Sequence, residues 1–534
     1  MNLKFVFYSI GKLLQVLAAV LLIPSLIALA EVGEWSFPQI FMDAGLSGFL
    51  IAIILSALTG TMLSFIPQQK MQGNAVREGF GIVTFGWIII AFFGAIPMFV
   101  YFLGHLDNVT VYSISHAFTN AYFESMSGFT TTGATILTDI EVLPKGILFW
   151  RSLTHWLGGM GIVTLVLAIL PAFGFTAYQM FRGEVPGPNT ERLKPRLAQT
   201  AKILWGVYAL LTIIETILLV FGGMSFFEAL CHSFGTMATG GFSTRNASIA
   251  AFNSDYIDWV ITVFMFLAGV NFIIHYRVIF SADLYMVKTD REFRFYLGVI
   301  LLAIIIGTLA LQFQGIAPVE EIQRSYRHAP LSGQDIDFKV TTEKLKTNNI
   351  YQTIRYVSFQ VISITTTTGY GTADFDVWPN FIRFMLVVLM FFGGCAGSTG
   401  GGMKMIRIMV LLKTIEREIK TIIQPRLIAP VKIVGTALEE KQIANIVGFI
   451  TLFIVLFVGF SGIMSLMIGD MTTAVTSVVA TMCNIGPGLS GVGISENYNW
   501  IPIAGKWVLT ICMLLGRLEV YTVIIAFSPL WWKK

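Results

Sequence analysis

The sequence predicts an all-α integral membrane protein: ten transmembrane helices and four re-entrant half-helices, in four span–loop–span repeats set pseudo-fourfold around a central pore. Three observations predict this class. Only 12% of the 534 residues are charged, 55% are hydrophobic and the mean hydropathy is +0.74, whereas soluble domains carry about 25% charged residues. Apolar runs long enough to cross a bilayer recur along the whole chain. Four shorter apolar runs each end in a cluster of small residues rich in glycine or threonine.

A crossing helix needs about 20 mostly apolar residues. Ten segments qualify: 8–30, 45–66, 80–103, 147–171, 202–222, 258–280, 295–313, 380–413, 443–468 and 503–528. Segments 112–129, 225–238, 350–366 and 471–484 are too short to cross. They are expected to enter the membrane as half-helices and return as extended chain. Lys4 and Lys12 precede a first run that ends in Ala28-Leu29-Ala30, a pattern resembling a leader-cleavage site. The run is long enough to span, which favours a retained first helix. The expected division is 1–72 (two leading spans), 73–185, 186–288, 289–428 and 429–534 (pore repeats one to four). The third repeat also carries a polar outer excursion, 314–348, to which no role is assigned.

The candidate filter residues are Thr131, Thr132 and Gly133 in the first loop, and Thr239 and Gly240 in the second. The third loop supplies Thr367, Thr368, Gly369, Tyr370 and Gly371, and the fourth Asn484, Ile485 and Gly486. Aligned on Gly133, Gly240, Gly369 and Gly486, the loops recur at intervals of 107, 129 and 117 residues, an internal repeat. With the N-terminus inside, 23 Lys and Arg fall in cytoplasmic segments and 11 outside. That bias places both termini in the cytoplasm and all four loops on the opposite face.

Non-helical backbone at membrane depth must be buried in protein or line a watery cavity. Four such loops meeting on one axis would stack rings of carbonyl oxygens, which replace the water shell of a monovalent cation. Glycine turns a carbonyl inward at φ > 0 and blocks nothing. The half-helix C-termini, partly negative, point to the same place. Thr368-Gly369-Tyr370-Gly371 is similar to the TVGYG filter of potassium channels, while the other loops keep only the central glycine. A simpler filter follows. Asp139, Asp255, Asp374 and Glu496 follow the loops; they read equally as cation-concentrating mouth charges and as ordinary solvated charges.

Six of the ten residues from 393 to 402 are glycine: Gly393, Gly394, Gly397, Gly400, Gly401 and Gly402. Each costs a helix interior about 1 kcal/mol relative to alanine. The run is expected to break its span below the filter and act as a gate. Arg517 lies in the matching span of the last repeat. An arginine at membrane depth usually faces a cavity or a partner, and here it is expected to adjoin the glycine loop.

The net charge of +4 is too small to imply nucleic-acid binding. The four cysteines form no CxxC pair and are expected to be reduced. The six histidines (105, 116, 155, 232, 275 and 328) show no metal-binding spacing, and Gly486–Gly491 matches GxGxxG without a preceding strand. An enzyme and any cofactor in this chain are therefore not expected. Glu124, Glu215 and Glu228 leave an H⁺- or Na⁺-coupled symporter as the alternative to a channel, although bracing of the half-helices explains them more simply.

The chain resembles the Trk/Ktr/HKT superfamily of potassium transporters, and within it the bacterial TrkH/TrkG pore-forming subunits. The stretches that carry the resemblance are Glu124–Gly133, His232–Ser243, Thr366–Gly371, Gly400–Lys404 and Gly516–Glu519. The two leading spans fit the TrkH type. The resemblance implies potassium uptake across the bacterial inner membrane, with K⁺ as the transported ion. It further implies a homodimer with one pore per subunit and a cytosolic ring of TrkA-like subunits that bind NAD(H) or ATP. It assigns the four aligned glycines to the filter, residues 393–402 with Arg517 to the gate, and the basic stretch 404–441 to docking of the partner.

Overall fold

A computed structural model describes residues 2–32, 43–66, 76–106, 108–161, 197–314, 349–426, 429–433 and 436–529. Residues 315–348 of the excursion and most of the basic segment 182–202 lie outside the described residues.

Two helices lead: α1 (Leu3–Glu31) and α2 (Ala44–Ser64). The side chains of Asn2 and Asp43 cap them by accepting from Phe5 N and Leu46 N. They pack as a pair because Gly11 and Gly60 let the backbones approach: a Cβ on either would meet the other's carbonyl oxygen at 2.8 Å. The pair leans on the first repeat.

One pattern then recurs four times. An outer helix comes first: α3 (Val76–Gly104), α6 (Leu197–Phe221), α11 (Arg291–Gln314) or α15 (Glu440–Ser465). A half-helix follows: α4 (Val111–Phe129), α7 (Phe226–Met237), α12 (Ile350–Thr365) or α16 (Met471–Met482). After a loop comes an inner helix: α5 (Lys145–Gly159), α8 (Asp255–Ala268), α13 (Asn380–Met390) or α17 (Ile503–Leu518). Pro144, Pro379 and Pro502 stand at the N-caps of three inner helices, and Ser254 caps the other. Proline suits this place because the missing N–H costs the helix nothing there. Beyond this three-part pattern are α9 (Phe272–Ser281), α10 (Leu284–Thr289), α14 (Met405–Ile423), α18 (Val520–Phe527) and a hairpin of β1 (Lys432–Ile433) with β2 (Thr436–Ala437). The hairpin is a small departure from an all-α chain.

Six described helices are long and apolar enough to cross a bilayer: α1, α2, α3, α6, α11 and α15. They match six of the ten expected spans. The rest need correction or completion. Segment 258–280 is α8 and α9, bent by 104°, and segment 503–528 is α17 and α18, bent by 113°. The first bend falls at Gly269–Asn271, where Asn271 starts a new helix by capping Ile273 N at 2.9 Å. The second falls at Glu519, whose φ of +62° no helix accommodates. Segment 380–413 is broken at its glycine run, as expected, between α13 and α14. Of 147–171, only the part up to residue 161 is described. The outermost helices show apolar faces to the surroundings, with Val455 and Val458 of α15 about 60% exposed, as lipid contact requires.

Half-helices and returning limbs are braced by polar side chains at one repeated place. Glu124 accepts from Ile136 N at 3.0 Å and pairs with Arg151 at 2.8 Å. His232 Nε2 bonds Ser243 Oγ at 2.9 Å, and Gln360, its amide oxygen facing the loop, accepts from Thr372 N at 2.9 Å. Glu124 and Arg151 are both essentially inaccessible. Removing one member strands the other charge, at a cost of about 3–5 kcal/mol. Arg151→Met is therefore expected to lower the thermal midpoint and the amount of protein in the membrane, and Arg151→Met with Glu124→Gln to recover part of both, read by thermal unfolding in detergent.

Candidate ion pathway

Each half-helix ends in the same capping geometry. In α4, Thr131 N bonds Gly128 O at 3.0 Å and Thr132 N bonds Ser127 O at 2.9 Å. The same pair of bonds is made by Thr239 and Gly240, by Thr367 and Thr368, and by Asn484 and Ile485. This is a Schellman cap, which needs one left-handed residue. Thr131, Thr239, Thr367 and Asn484 occupy it at φ of 54°, 55°, 60° and 55°. No glycine holds these places, although the left-handed region costs other residues about 1–2 kcal/mol each.

The next turn of chain also has positive φ, at Gly133 (78°), Gly241 (79°), Gly369 (80°) and Gly486 (99°). The alignment on Gly240 is therefore one residue out. Gly241 is the equivalent of the other three glycines, and Gly240 takes the place of Thr132, Thr368 and Ile485. The four glycines form a closed cycle with the carbonyls that precede them. A Cβ on Gly133 would collide with the oxygen of Gly240, on Gly241 with Thr368, on Gly369 with Ile485 and on Gly486 with Thr132. Each loop touches the next, and the last touches the first.

Side chains hold this backbone from behind. Thr130 and Thr132 share a hydroxyl bond of 2.8 Å, as do Thr366 and Thr368. Asn484 Nδ2 donates to Thr132 Oγ1 at 2.9 Å and to Met513 O at 3.0 Å. The Tyr370 hydroxyl lies away from the cycle, donating to His232 O and Phe242 O. Gly371 bonds Ser248 Oγ through its N–H, in the returning limb. Tyr498, not singled out by sequence, donates to Gly486 O at 2.7 Å. A cup opens on one side of the four glycines, lined also by Arg151, Arg245 and Glu496. Of the other acidic residues, Asp255 pairs with buried Arg355, Asp374 is buried and caps Asp376 N, and Asp139 binds Asn246.

On the other side lies the glycine run. Gly401 N donates to Thr367 Oγ1 at 2.7 Å, and a Cβ on Gly401 would crowd Cys483 O and Asn484. The run fills the α8–α9 bend: Cys395 N bonds Gly269 O at 2.8 Å and Phe272 N bonds Gly397 O at 3.1 Å. Thr399 Oγ1 reaches Met237 O at 3.0 Å. At the matching place in the inner helices stand Gly159, Gly269, Gly394 and Arg517. Three leave space, and Arg517 crosses it. Its guanidinium donates to Thr399 O at 2.9 Å, to Gly159 O at 2.8 Å and to Gly158 O. Arg517 thus pins the run to the end of α5. Gly393 N is held by Met403 O, while Gly400 and Gly402 lie under Thr366 O and the Thr367 methyl.

Two charged residues outside the sequence-based set also hold the run. Lys404 Nζ bonds Gly400 O and reaches Ser398 O. Glu292, in the first turn of α11, takes Ala396 N at 2.7 Å and Ile406 N at 3.1 Å on one carboxylate oxygen, stapling the two sides of the run together. Lys404 acts within its own loop, whereas nothing in the local sequence marks Glu292, which acts on backbone more than a hundred residues away.

The family model described as "Cation transport protein", TrkH, matches residues 46–533. The chain is 36% identical to the Trk system potassium uptake protein TrkH of Escherichia coli K12, covering 100% of both chains. It is 30% identical to the TrkG protein of the same organism, over 92% of this chain and 93% of the relative. The crystal structure of the potassium transporter TrkH from Vibrio parahaemolyticus aligns with a TM-score of 0.79 and 32% identity over 100% of both chains. With its repeated half-helices, its cycle of glycines and these full-length matches, the chain belongs to the TrkH family of cation transport proteins.

Proposed function

We propose that this chain is the pore-forming subunit of a potassium uptake system in the bacterial inner membrane. The observation that carries the reading is the closed cycle of Gly133, Gly241, Gly369 and Gly486 against the carbonyls of Gly240, Thr368, Ile485 and Thr132. Such a cycle supports a pseudo-fourfold pore: four repeats supply one carbonyl each to a ring that replaces the ion's hydration. The capping carbonyls beneath add partial negative charge. Thr131, Thr239, Thr367 and Asn484 set the angle at which each loop leaves its helix. Tyr370 and Gly371 shape the returning limb. Ten crossings are completed when the bent pairs α8–α9 and α17–α18, the broken α13–α14 and the segment containing α5 each count as one.

The glycine run supports a gate. It lies directly under the capping residues and is held by hydrogen bonds a charge can break, from Arg517, Lys404 and Glu292. Moving it would open the path without moving the filter. The homodimer and a TrkA-like nucleotide-binding ring at the cytoplasmic face complete this reading. Helix α14, which leaves the run carrying half-buried Lys413 and Arg417 and exposed Lys420, is the route by which such a partner would pull. The relatives are transporters, and no catalytic role is proposed.

One observation favours coupled symport as the second reading. Glu215 of α6 is fully buried beside Thr236 of half-helix α7, where a carboxyl can carry a proton. Reversal potentials in liposomes at varied pH and sodium separate the two: a channel follows the potassium gradient alone.

In bacteria lacking potassium uptake, the chain with its partner is expected to restore growth at low potassium; no rescue overturns the proposal. Gly369→Ser crowds Ile485 O and is expected to lower potassium over sodium discrimination several-fold in isotope uptake. Arg517→Ala removes charge-assisted bonds worth about 1.5–3 kcal/mol each, so flux without the partner is expected to rise about tenfold or more. Unchanged flux sinks the gate.

A further inference from the structure

The four filter loops are not anchored alike. In the first and third loops a threonine pair locks the cap residue to the filter residue, Thr130 to Thr132 and Thr366 to Thr368. The second loop has Ala238 and Gly240 at those places, with no hydroxyl to form the lock. Its space is occupied by His155. The imidazole lies where a Gly240 side chain would be, and a Cβ there would collide with the ring. Nδ1 accepts from Phe242 N at 3.4 Å, the ring stacks on Phe242 with centroids 4.0 Å apart, and its other edge faces the Ser127 backbone of half-helix α4. Arg151 covers the opposite face of Phe242 at 4.1 Å. Counted from the caps of the inner helices, the residues matching His155 are Met265, Met390 and Met513, all fully buried. Three repeats thus put a flexible apolar side chain behind the filter, and one puts a planar hydrogen-bonding ring.

We propose that His155 is the positioning residue of the second filter loop, and that His155 and Gly240 are a matched pair. The ring stands in for the missing lock by accepting from Phe242 N and filling the space beside Gly240. Gly240 is glycine because the ring needs its volume, not because its backbone does: among the positive-φ residues of the second loop are Thr239 and Gly241, and Gly240 is absent from them. This rests on the filter reading above and extends it to ion discrimination.

The test is a double-mutant cycle in the whole transporter with its partner, reading potassium KM, maximal uptake and the potassium to sodium uptake ratio, each normalised to protein in the membrane. Gly240→Thr alone is expected to cut uptake by about tenfold or more, since overpacking displaces the loop. His155→Met alone is expected to lower the potassium to sodium ratio several-fold. Together they give the second loop the filter threonine and backing methionine of the first and third loops, with Ala238 unchanged, and are expected to regain most of the lost uptake. His155→Gln, which retains an acceptor for Phe242 N, serves if His155→Met fails to reach the membrane, and is expected to keep the ratio closer to that of the native protein than His155→Ala does. If Gly240→Thr fails to lower uptake, the filter reading of this loop falls. If it lowers uptake and neither partner substitution recovers any, the pairing is wrong. An unchanged ion ratio in His155→Met, or in His155→Ala where the Met variant is lost, overturns the positioning role.

Discussion

Everything in the proposed pathway depends on turning one carbonyl per repeat away from its own helix. A helix ends with its last carbonyls along the axis, unsatisfied. To send the next carbonyl sideways, the chain must take one left-handed step and then another, and both are visible at all four half-helix ends. The first step falls on threonine or asparagine and is unfavourable. Two capping hydrogen bonds and burial of the whole turn offset it. The second falls on glycine, where a side chain would strike the neighbouring loop. Strain of this kind persists only where the surroundings over-determine the conformation. Here they do so through hydroxyl locks, the braces at Glu124, His232 and Gln360, and the neighbouring loop itself.

The same shortage of side chains explains the glycine run. Beneath the capping turns lie backbone groups freed by the α8–α9 bend, Gly269 O and Phe272 N, and they need partners in a medium without water. The run supplies them. A regular helix would have used its own N–H and C=O groups and left those of the bend unpaired. An irregular, glycine-rich segment can satisfy its neighbours because its own N–H and C=O groups are not committed to a helix. Arg517, Lys404 and Glu292 then supply the charged contacts.

Much of this was legible in the sequence because it is periodic or compositional. Six helices long and apolar enough to cross, four shorter helices before the loops and the break at 393–402 follow from run length and glycine content. The bends at Gly269–Asn271 and Glu519 did not, because hydropathy continues across them and one asparagine or one strained glutamate decides the path. The register of the second loop is ambiguous in the sequence for a specific reason. Two adjacent glycines, Gly240 and Gly241, were available, and only φ distinguishes the one that turns from the one that leaves room. Glu292 and His155 were invisible because each acts on chain about a hundred residues away.

Four-way repetition with one exception at each level is the deeper regularity. Below the glycine cycle, three glycines stand at the place of Arg517. Behind it, three methionines match His155. In the caps, three threonines match Asn484. A perfect fourfold ring would stack four arginines in one place, which repulsion and volume forbid, or four glycines, which leave nothing to hold the run. A single chain with diverged repeats can put one cation where a symmetric tetramer must put four or none. Joining the repeats in one polypeptide therefore permits a glycine run pinned from one side only.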